Sequence, residues 1–175
     1  MGTMTKWKGC DCMASAKKIP SGAWNFRGCL KKEEFKRLLE YTRDQEERLI
    51  IMLAGLYALR RGEIAGLTGA DIIWDMHCIQ VKHSMVQNLQ KEWINKSTTT
   101  TRTIEIDPKL MALFPKVGPK ELVISKNPIQ ITKMFERIRN KAGVSCRFHD
   151  LRKYAASIRS DMMSSNGDDD KMERM

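Results

Sequence analysis

The sequence predicts an α+β fold that is mainly helical and carries a small antiparallel sheet. Apolar residues recur at helical spacing in segments near both ends of the 175-residue chain, and they alternate at strand spacing near its middle. Hydrophobic residues make up 42% of the chain, which is enough to bury a core, and the length suits one ordinary domain with a short appendage.

Helical periodicity begins at Leu30, where a stretch of about three turns carries apolar residues on one face. Proline is tolerated in the first turn of a helix, and glycine commonly ends one, so Pro108 and Gly143 mark two further boundaries. The predicted helices after the first one are 45–59, a short helix or turn at 61–67, 108–113, 129–142 and 148–163.

Strand signals lie between these helices. Residues 77–86 alternate between apolar and polar side chains, and residues 92–94 and 102–106 complete a small antiparallel sheet. We expect the threonine-rich segment 96–101 to be the loop between those two strands. A further strand-like stretch covers residues 122–124.

The chain is basic, with 31 Lys and Arg against 21 Asp and Glu, a net charge of +10 and a pI near 9.5. Such an excess favours a polyanionic partner such as nucleic acid, or simply solubility. No apolar run approaches the roughly 18–20 residues that a membrane span requires. We also predict no signal peptide and no membrane partner, because no apolar stretch follows the first lysines.

The cysteines favour free thiols in a reducing cytosol. Their number is odd, their spacing is scattered, and no Cys-x-x-Cys pair occurs. A zinc or redox protein remains the alternative, and it predicts bound metal. The five positions are Cys10, Cys12, Cys29, Cys78 and Cys146.

Basic residues cluster at three places: residues 59–64, Lys96 ahead of Arg102, and residues 148–154. In the third cluster, His149 and Arg152 are three apart and share a helix face. An imidazole beside a planar guanidinium suits a phosphate, because arginine binds two phosphate oxygens and histidine can shuttle a proton. A surface arginine with a capping histidine is the alternative for this pair alone.

Taken together and in this order, the clusters resemble the motifs of the tyrosine recombinases, the phage (lambda-type) integrase family. The resemblance rests on residues 58–64, on Lys96 six residues before Arg102, and on residues 148–152, and it runs from about residue 30 to the C terminus. It implies that family's catalytic-domain fold, in which DNA is broken and rejoined. It also implies recombination of a phage or conjugative transposon in a bacterial cytoplasm, double-stranded DNA as the partner, and no metal or nucleotide cofactor.

The family mechanism implies roles for four residues. A tyrosine attacks the scissile phosphate, which leaves a 3′-phosphotyrosine and a free 5′-hydroxyl. By resemblance, Arg60 and Arg152 clamp the non-bridging oxygens, and His149 is the general acid/base partner. Lys96 would protonate the leaving 5′-oxygen.

Four more residues receive supporting roles. We expect Glu63 to orient the site by pairing with Arg60, three positions earlier. Arg61, Arg102 and Lys153 are predicted to contact DNA, and Lys153 departs from the histidine that is frequent at its position in the family.

The nucleophilic tyrosine is expected to be missing. In the family it follows a Gly-His or Gly-Trp motif that comes after a segment like 172–175, whereas this chain ends at Met175. Tyr154 lies about 200° around its helix from Arg152, Tyr57 is in the most apolar helix, and Tyr41 is outside the motifs. The chain would therefore bind DNA without cleaving it, either as a truncated enzyme or as a non-catalytic DNA-binding or regulatory module.

The two ends of the chain carry the remaining expectations. Residues 30–175 would form the catalytic domain without its last helices, and exposed methionines at 162, 163 and 172 would favour self-association. Residues 1–29 would be a poorly ordered basic leader, or the remnant of an arm-binding domain with a hairpin over 16–27. The helical core-binding domain of such integrases would then be absent.

Overall fold

A computed structural model of the chain describes residues 30–165, with side chains as far as Arg159. Several sequence predictions lie outside the described residues. They concern the leader hairpin at 16–27, the segment 172–175, the side chains of Met162 and Met163, and three of the five cysteines. Within the described part, the α+β class with a small antiparallel sheet is confirmed.

The described residues form six helices and three strands. In chain order they are α1 (Lys32–Glu40), α2 (Gln45–Tyr57), α3 (Arg61–Ala65), β1 (Ile72–Ile73), β2 (Cys78–Gln87), β3 (Trp93–Glu105), α4 (Pro108–Met111), α5 (Pro128–Ala142) and α6 (Phe148–Ser165).

Helix α2 is the centre of the core. Asp44 caps its start by accepting a hydrogen bond from the Glu47 backbone N–H at 2.8 Å. Its end comes two residues before the predicted one, because Ala58 adopts a left-handed conformation (φ 57°) that closes the helix. Helix α6 packs along α2, so the core ties the last described helix to the second.

The sheet differs from its predicted form at the threonine-rich segment. We expected a loop at 96–101, but β3 runs without interruption through it. Val81 pairs with Arg102 and His83 with Ser97, so residues 98–101 bulge opposite Lys82. The run of threonines favours extended backbone, which explains why the chain stays in the strand instead of leaving it.

Two short segments also depart from expectation. The third strand of the sheet is β1, whose two residues are too few to show alternation. The strand-like stretch at 122–124 makes only one bridge, between Leu122 and Thr68, and Val123 bonds to the Leu67 carbonyl at 2.9 Å. Val123 and Ile124 are buried in the core, whereas Leu122 is exposed, so the two buried residues reflect core packing rather than pairing in a sheet. No helix within 30–165 is long and apolar enough to cross a membrane.

Candidate functional site

A cleft of about 670 Å³ opens between α3, α5 and the start of α6. It brings together residues from four separate parts of the chain, and five of its lining side chains are arginines. The lining residues that the argument uses are Arg60, Arg61, Ser84, Thr132, His149 and Arg152.

Arg60 is held at the start of α3. Its backbone N–H donates to Glu63 Oε2 at 2.7 Å, and its Nη1 donates to Glu63 Oε1 at 2.9 Å. Leu59, the residue before it, is fully buried, while 64% of the Arg60 side chain remains exposed. The backbone is therefore anchored in the core, and the guanidinium extends from it into the cleft.

Helix α3 approaches the sheet closely because of Gly62. A β-carbon at this position would lie 2.5 Å from Ser84 Oγ and 2.9 Å from the Met85 carbonyl oxygen. Any larger residue would push α3 away from β2, and Arg60 would move with it.

His149 and Arg152 stand on the first turns of α6. Buried Asp150 accepts a hydrogen bond from the Arg147 backbone N–H at 2.8 Å, and Leu151 is fully buried, so this helix start is fixed. Burial, and then the positive charge of Arg60, lower the pKa of the Arg152 guanidinium. A phosphate bound between the two guanidinium groups would relieve this repulsion and accept hydrogen bonds from both.

Glu63 is a buried carboxylate, 2% exposed, that contacts two arginines. Besides Arg60 it accepts a two-pronged contact from Arg102, with Nη1 to Oε1 at 3.0 Å and Nη2 to Oε2 at 2.7 Å. Burial alone would raise the pKa of this carboxyl. The hydrogen bonds from Arg102 and Arg60 outweigh burial and lower the pKa to about 2.

Lys96 lies on β3, where it is exposed and pairs directly with Ser84 of β2. Opposite residues of an antiparallel ladder point to the same face, so Lys96 shares its face of the sheet with the cleft residue Ser84. The lysine does not itself line the cleft.

The three residues predicted to contact DNA have different surroundings. Arg61 lines the cleft and bonds to the Thr132 hydroxyl. Arg102 is bound to Glu63 and lines a second cavity, and Lys153 lies 3.4 Å from the buried Asp150 carboxylate. Their contacts with DNA stay predictions.

Sequence reasoning missed several cleft residues. Thr132 and Arg139 come from α5, which carries none of the recognised motifs, and Ser84 comes from the middle of β2. Basic residues in the last turn of α5 are the one signal that could have indicated a polar surface there. Arg139 Nη1 donates a hydrogen bond to the Cys146 carbonyl at 2.8 Å and so links α5 to the segment before α6.

The sequence contains three tyrosines, all within 30–165, and none lines the cleft. Tyr154 is buried against the Phe35 ring at 4.7 Å, and burial raises its pKa. The Tyr57 hydroxyl accepts a hydrogen bond from the Asp107 backbone N–H at 2.9 Å, and Tyr41 is exposed at the end of α1.

The described cysteines, Cys78 and Cys146, are buried free thiols. Burial, followed by the charge of Asp150, raises the pKa of the Cys146 thiol to about 12, so this cleft residue is protonated at neutral pH. Between residues 30 and 165, no three His, Cys, Asp or Glu side chains lie together as metal ligands would.

Comparison with known proteins gives two findings. A model of the phage integrase family matches residues 29–175. No curated protein matches the chain.

Similar solved structures include the Tn1549 transposon integrase in complex with transposon right end DNA (TM-score 0.62, 17% identity, 73% of this chain and 51% of that one). XerA recombinase gives a TM-score of 0.55 at 19% identity over 74% and 50% of the two chains. The integrase from mycobacterium phage Brujita gives 0.55 at 17% identity over 83% and 47%. These likenesses show a shared fold, and the chain spans about half the length of each of these proteins.

Proposed function

Because the chain belongs to the phage integrase family, we propose that it binds double-stranded DNA in site-specific recombination of a phage or conjugative element. Its place of action would be the cytoplasm of a bacterial host. Residues 30–175 would be the catalytic domain, and residues 1–29 a basic leader. The Tn1549 integrase, whose structure contains transposon end DNA, supports this choice of partner.

The observation that carries the proposal is the convergence of Arg60, His149 and Arg152 on one cleft. Arg60 and His149 are 89 positions apart in sequence, and two guanidinium groups and an imidazole in one cleft suit the charge of a phosphodiester. The arginines would bind the two non-bridging oxygens, where negative charge grows during attack on phosphorus.

The remaining roles follow from position. His149 stands at the cleft, where it would exchange a proton with the attacking hydroxyl. Lys96 is on the same face of the sheet as Ser84, and it would protonate the leaving 5′-oxygen once DNA is bound. The reaction energy is kept in a covalent phosphotyrosine link, so no metal or nucleotide is required.

We further propose that these 175 residues bind DNA without cleaving it. Tyr154 is packed against Phe35, Tyr57 is hydrogen bonded beside α4, and Tyr41 lies at the end of α1 and does not line the cleft. A non-catalytic DNA-binding or regulatory module is the second candidate, and the same tyrosine positions favour it.

Two measurements test the proposal. Labelled duplex DNA titrated with the chain should bind at low salt and dissociate as salt rises. A nicked suicide substrate, which traps any phosphotyrosine link, should give no protein–DNA band on a denaturing gel. Absence of binding at low salt would refute the DNA-binding proposal, and a covalent band would refute the proposed lack of cleavage.

The two candidates separate in a fusion experiment. Joining the tyrosine-bearing C-terminal segment of a family member to this chain should restore the covalent band if the chain is an enzyme domain with an intact site. Persistent DNA binding without cleavage in the fusion, with Arg60 and Arg152 unchanged, would favour the regulatory module. Gel filtration of the chain over a range of concentrations tests the predicted self-association.

A further inference from the structure

Arg102 does not line the cleft, but it binds Glu63, the carboxylate that also holds Arg60. It lies on β3, and both of its terminal nitrogens bind the Glu63 carboxylate, at 3.0 and 2.7 Å. The two residues are 39 positions apart, so the contact joins the hairpin to α3. A parallel two-bond contact fixes the orientation of the carboxylate as well as its location.

Arg60 depends on the same carboxylate. Glu63 Oε1 accepts Arg60 Nη1 at 2.9 Å, and Oε2 accepts the Arg60 backbone N–H at 2.7 Å. Each Glu63 oxygen is thus shared between one atom of Arg60 and one of Arg102. Rotation of the carboxylate would break the Arg60 contacts, and the two bonds from Arg102 oppose that rotation.

We propose that Arg102 is a positioning residue for Arg60, acting through the Glu63 carboxylate, and that it does not contact DNA phosphate directly. This inference rests on the proposed DNA-binding function. It replaces the direct contact expected of Arg102 from the sequence.

The location of Arg102 supports this role. Its guanidinium is about one-third exposed, and it lines a second cavity, which Tyr57, Arg152 and Arg159 also line. It does not line the cleft that holds Arg60 and His149. The Arg60 side chain, by contrast, is mostly exposed, so without its contact to Glu63 it would sample several rotamers and bind a phosphate less tightly.

The experiment is a double-mutant cycle on the salt dependence of duplex DNA binding by the full chain. Each phosphate contact contributes about 0.9 to the slope of log affinity against log salt. Arg60→Ala and Arg102→Gln should each lower the slope by about 0.9 and weaken binding by roughly tenfold. The double variant should lose no more than Arg60→Ala alone.

The matched control is Arg159→Gln, which removes the same charge from the same cavity. Its effect on affinity, whatever its size, should add to that of Arg60→Ala. Additive effects of Arg102→Gln and Arg60→Ala, with a slope loss of about 1.8 in the double variant, would overturn the inference in favour of two direct contacts.

Glu63→Gln provides a test in which a charge effect and a positioning effect change the DNA affinity in opposite directions. Removing a negative charge near bound DNA should tighten binding if charge alone matters, whereas loss of Arg60 positioning should weaken it. Weaker binding supports the inference, and tighter binding contradicts it. Thermal unfolding of every variant shows which remain folded, and the partly exposed Arg102→Gln change keeps the test available if Glu63→Gln unfolds.

The outcomes also separate this inference from the proposed function. If the unmodified chain does not bind DNA, or if Arg60→Ala binds like the unmodified chain, the proposed function is wrong. If Arg60→Ala weakens binding and Arg102→Gln does not, only the positioning role is wrong.

Discussion

Two parts of the proposed site are built in different ways: the pair Arg60 and Arg152, which we propose to bind a phosphate and call the arginine clamp, and strand β3, which carries Lys96. Arg60 and Arg152 each follow a fully buried leucine, Leu59 and Leu151, in the helical core. Lys96 lies on β3, whose residues are mostly exposed, in a hairpin whose turn contains the 98% exposed Leu89. The backbone beside each clamp arginine is thus anchored in the core. Lys96, by contrast, is held by a hairpin strand with few buried residues.

This difference indicates how the site would work. Groups that bind charge must be held before the phosphate arrives, because reorganising them would consume binding energy. A proton donor can be brought into place by the DNA itself. The Glu63–Arg102 contact would link the two regions, since within residues 30–165 it is the one hydrogen-bonded ion pair between α3 and β3.

The largest difference between the two regions should appear in stability. Leu53→Ala removes a fully buried side chain of α2, and we expect it to lower the free energy of unfolding by about 2–5 kcal/mol. Leu89→Ala, at the hairpin turn, should change it by no more than about 0.5 kcal/mol. Urea unfolding followed by circular dichroism measures both, and equal losses would show that the hairpin is as firmly packed as the core.

A smaller effect is expected on DNA affinity. Arg152→Ala removes one of the two arginines proposed to bind the phosphate and should weaken duplex binding by about 1.5–3 kcal/mol, since that contact would be a charge-assisted hydrogen bond. Fluorescence anisotropy at fixed salt measures the change, with Lys32→Ala on α1 as a control that keeps full affinity. An Arg152→Ala affinity equal to that of the control would remove the clamp from the site.

The contribution of Glu63, which links α3 to β3, to the free energy of unfolding should depend on pH. The pKa of Glu63 is lowered, so its contribution to stability is complete above about pH 4.5 and is lost as pH falls toward about 2. Glu63→Gln removes this contribution, so the stability gap between the two proteins should shrink as the solution is acidified. Urea unfolding at neutral pH and near pH 3 tests this, and a constant gap would show that Glu63 is not held as a carboxylate.

The smallest effect concerns the strand. Lys96 is exposed and forms no ion pair among those of the described residues, so Lys96→Ala should leave stability within about 0.5 kcal/mol. If Lys96 contacts one DNA phosphate, the slope of log affinity against log salt should be smaller in Lys96→Ala by about 0.9. A slope equal to that of the unmodified chain would show that the hairpin does not carry Lys96 to the DNA.

The sequence predicted best what depends on local spacing. His149 and Arg152 could be assigned to one face because three residues make nearly one helical turn, and the end of α5 could be assigned because Gly143 favours a left-handed conformation. The Glu63–Arg102 contact could not, since 39 residues and a change of element separate its members. The continuous β3 was missed because a threonine run fits a polar loop as well as an exposed strand.

The double variant Arg60→Ala/Arg152→Ala tests the clamp most directly, by the salt dependence of duplex DNA binding. Its slope should be smaller than that of the unmodified chain by about 1.8, which is two phosphate contacts. A control pair, Lys32→Ala/Lys120→Ala, removes the same charge outside both cavities and should leave the slope unchanged. Equal slopes for the clamp variant and the unmodified chain would contradict the assignment of the cleft to a DNA phosphate.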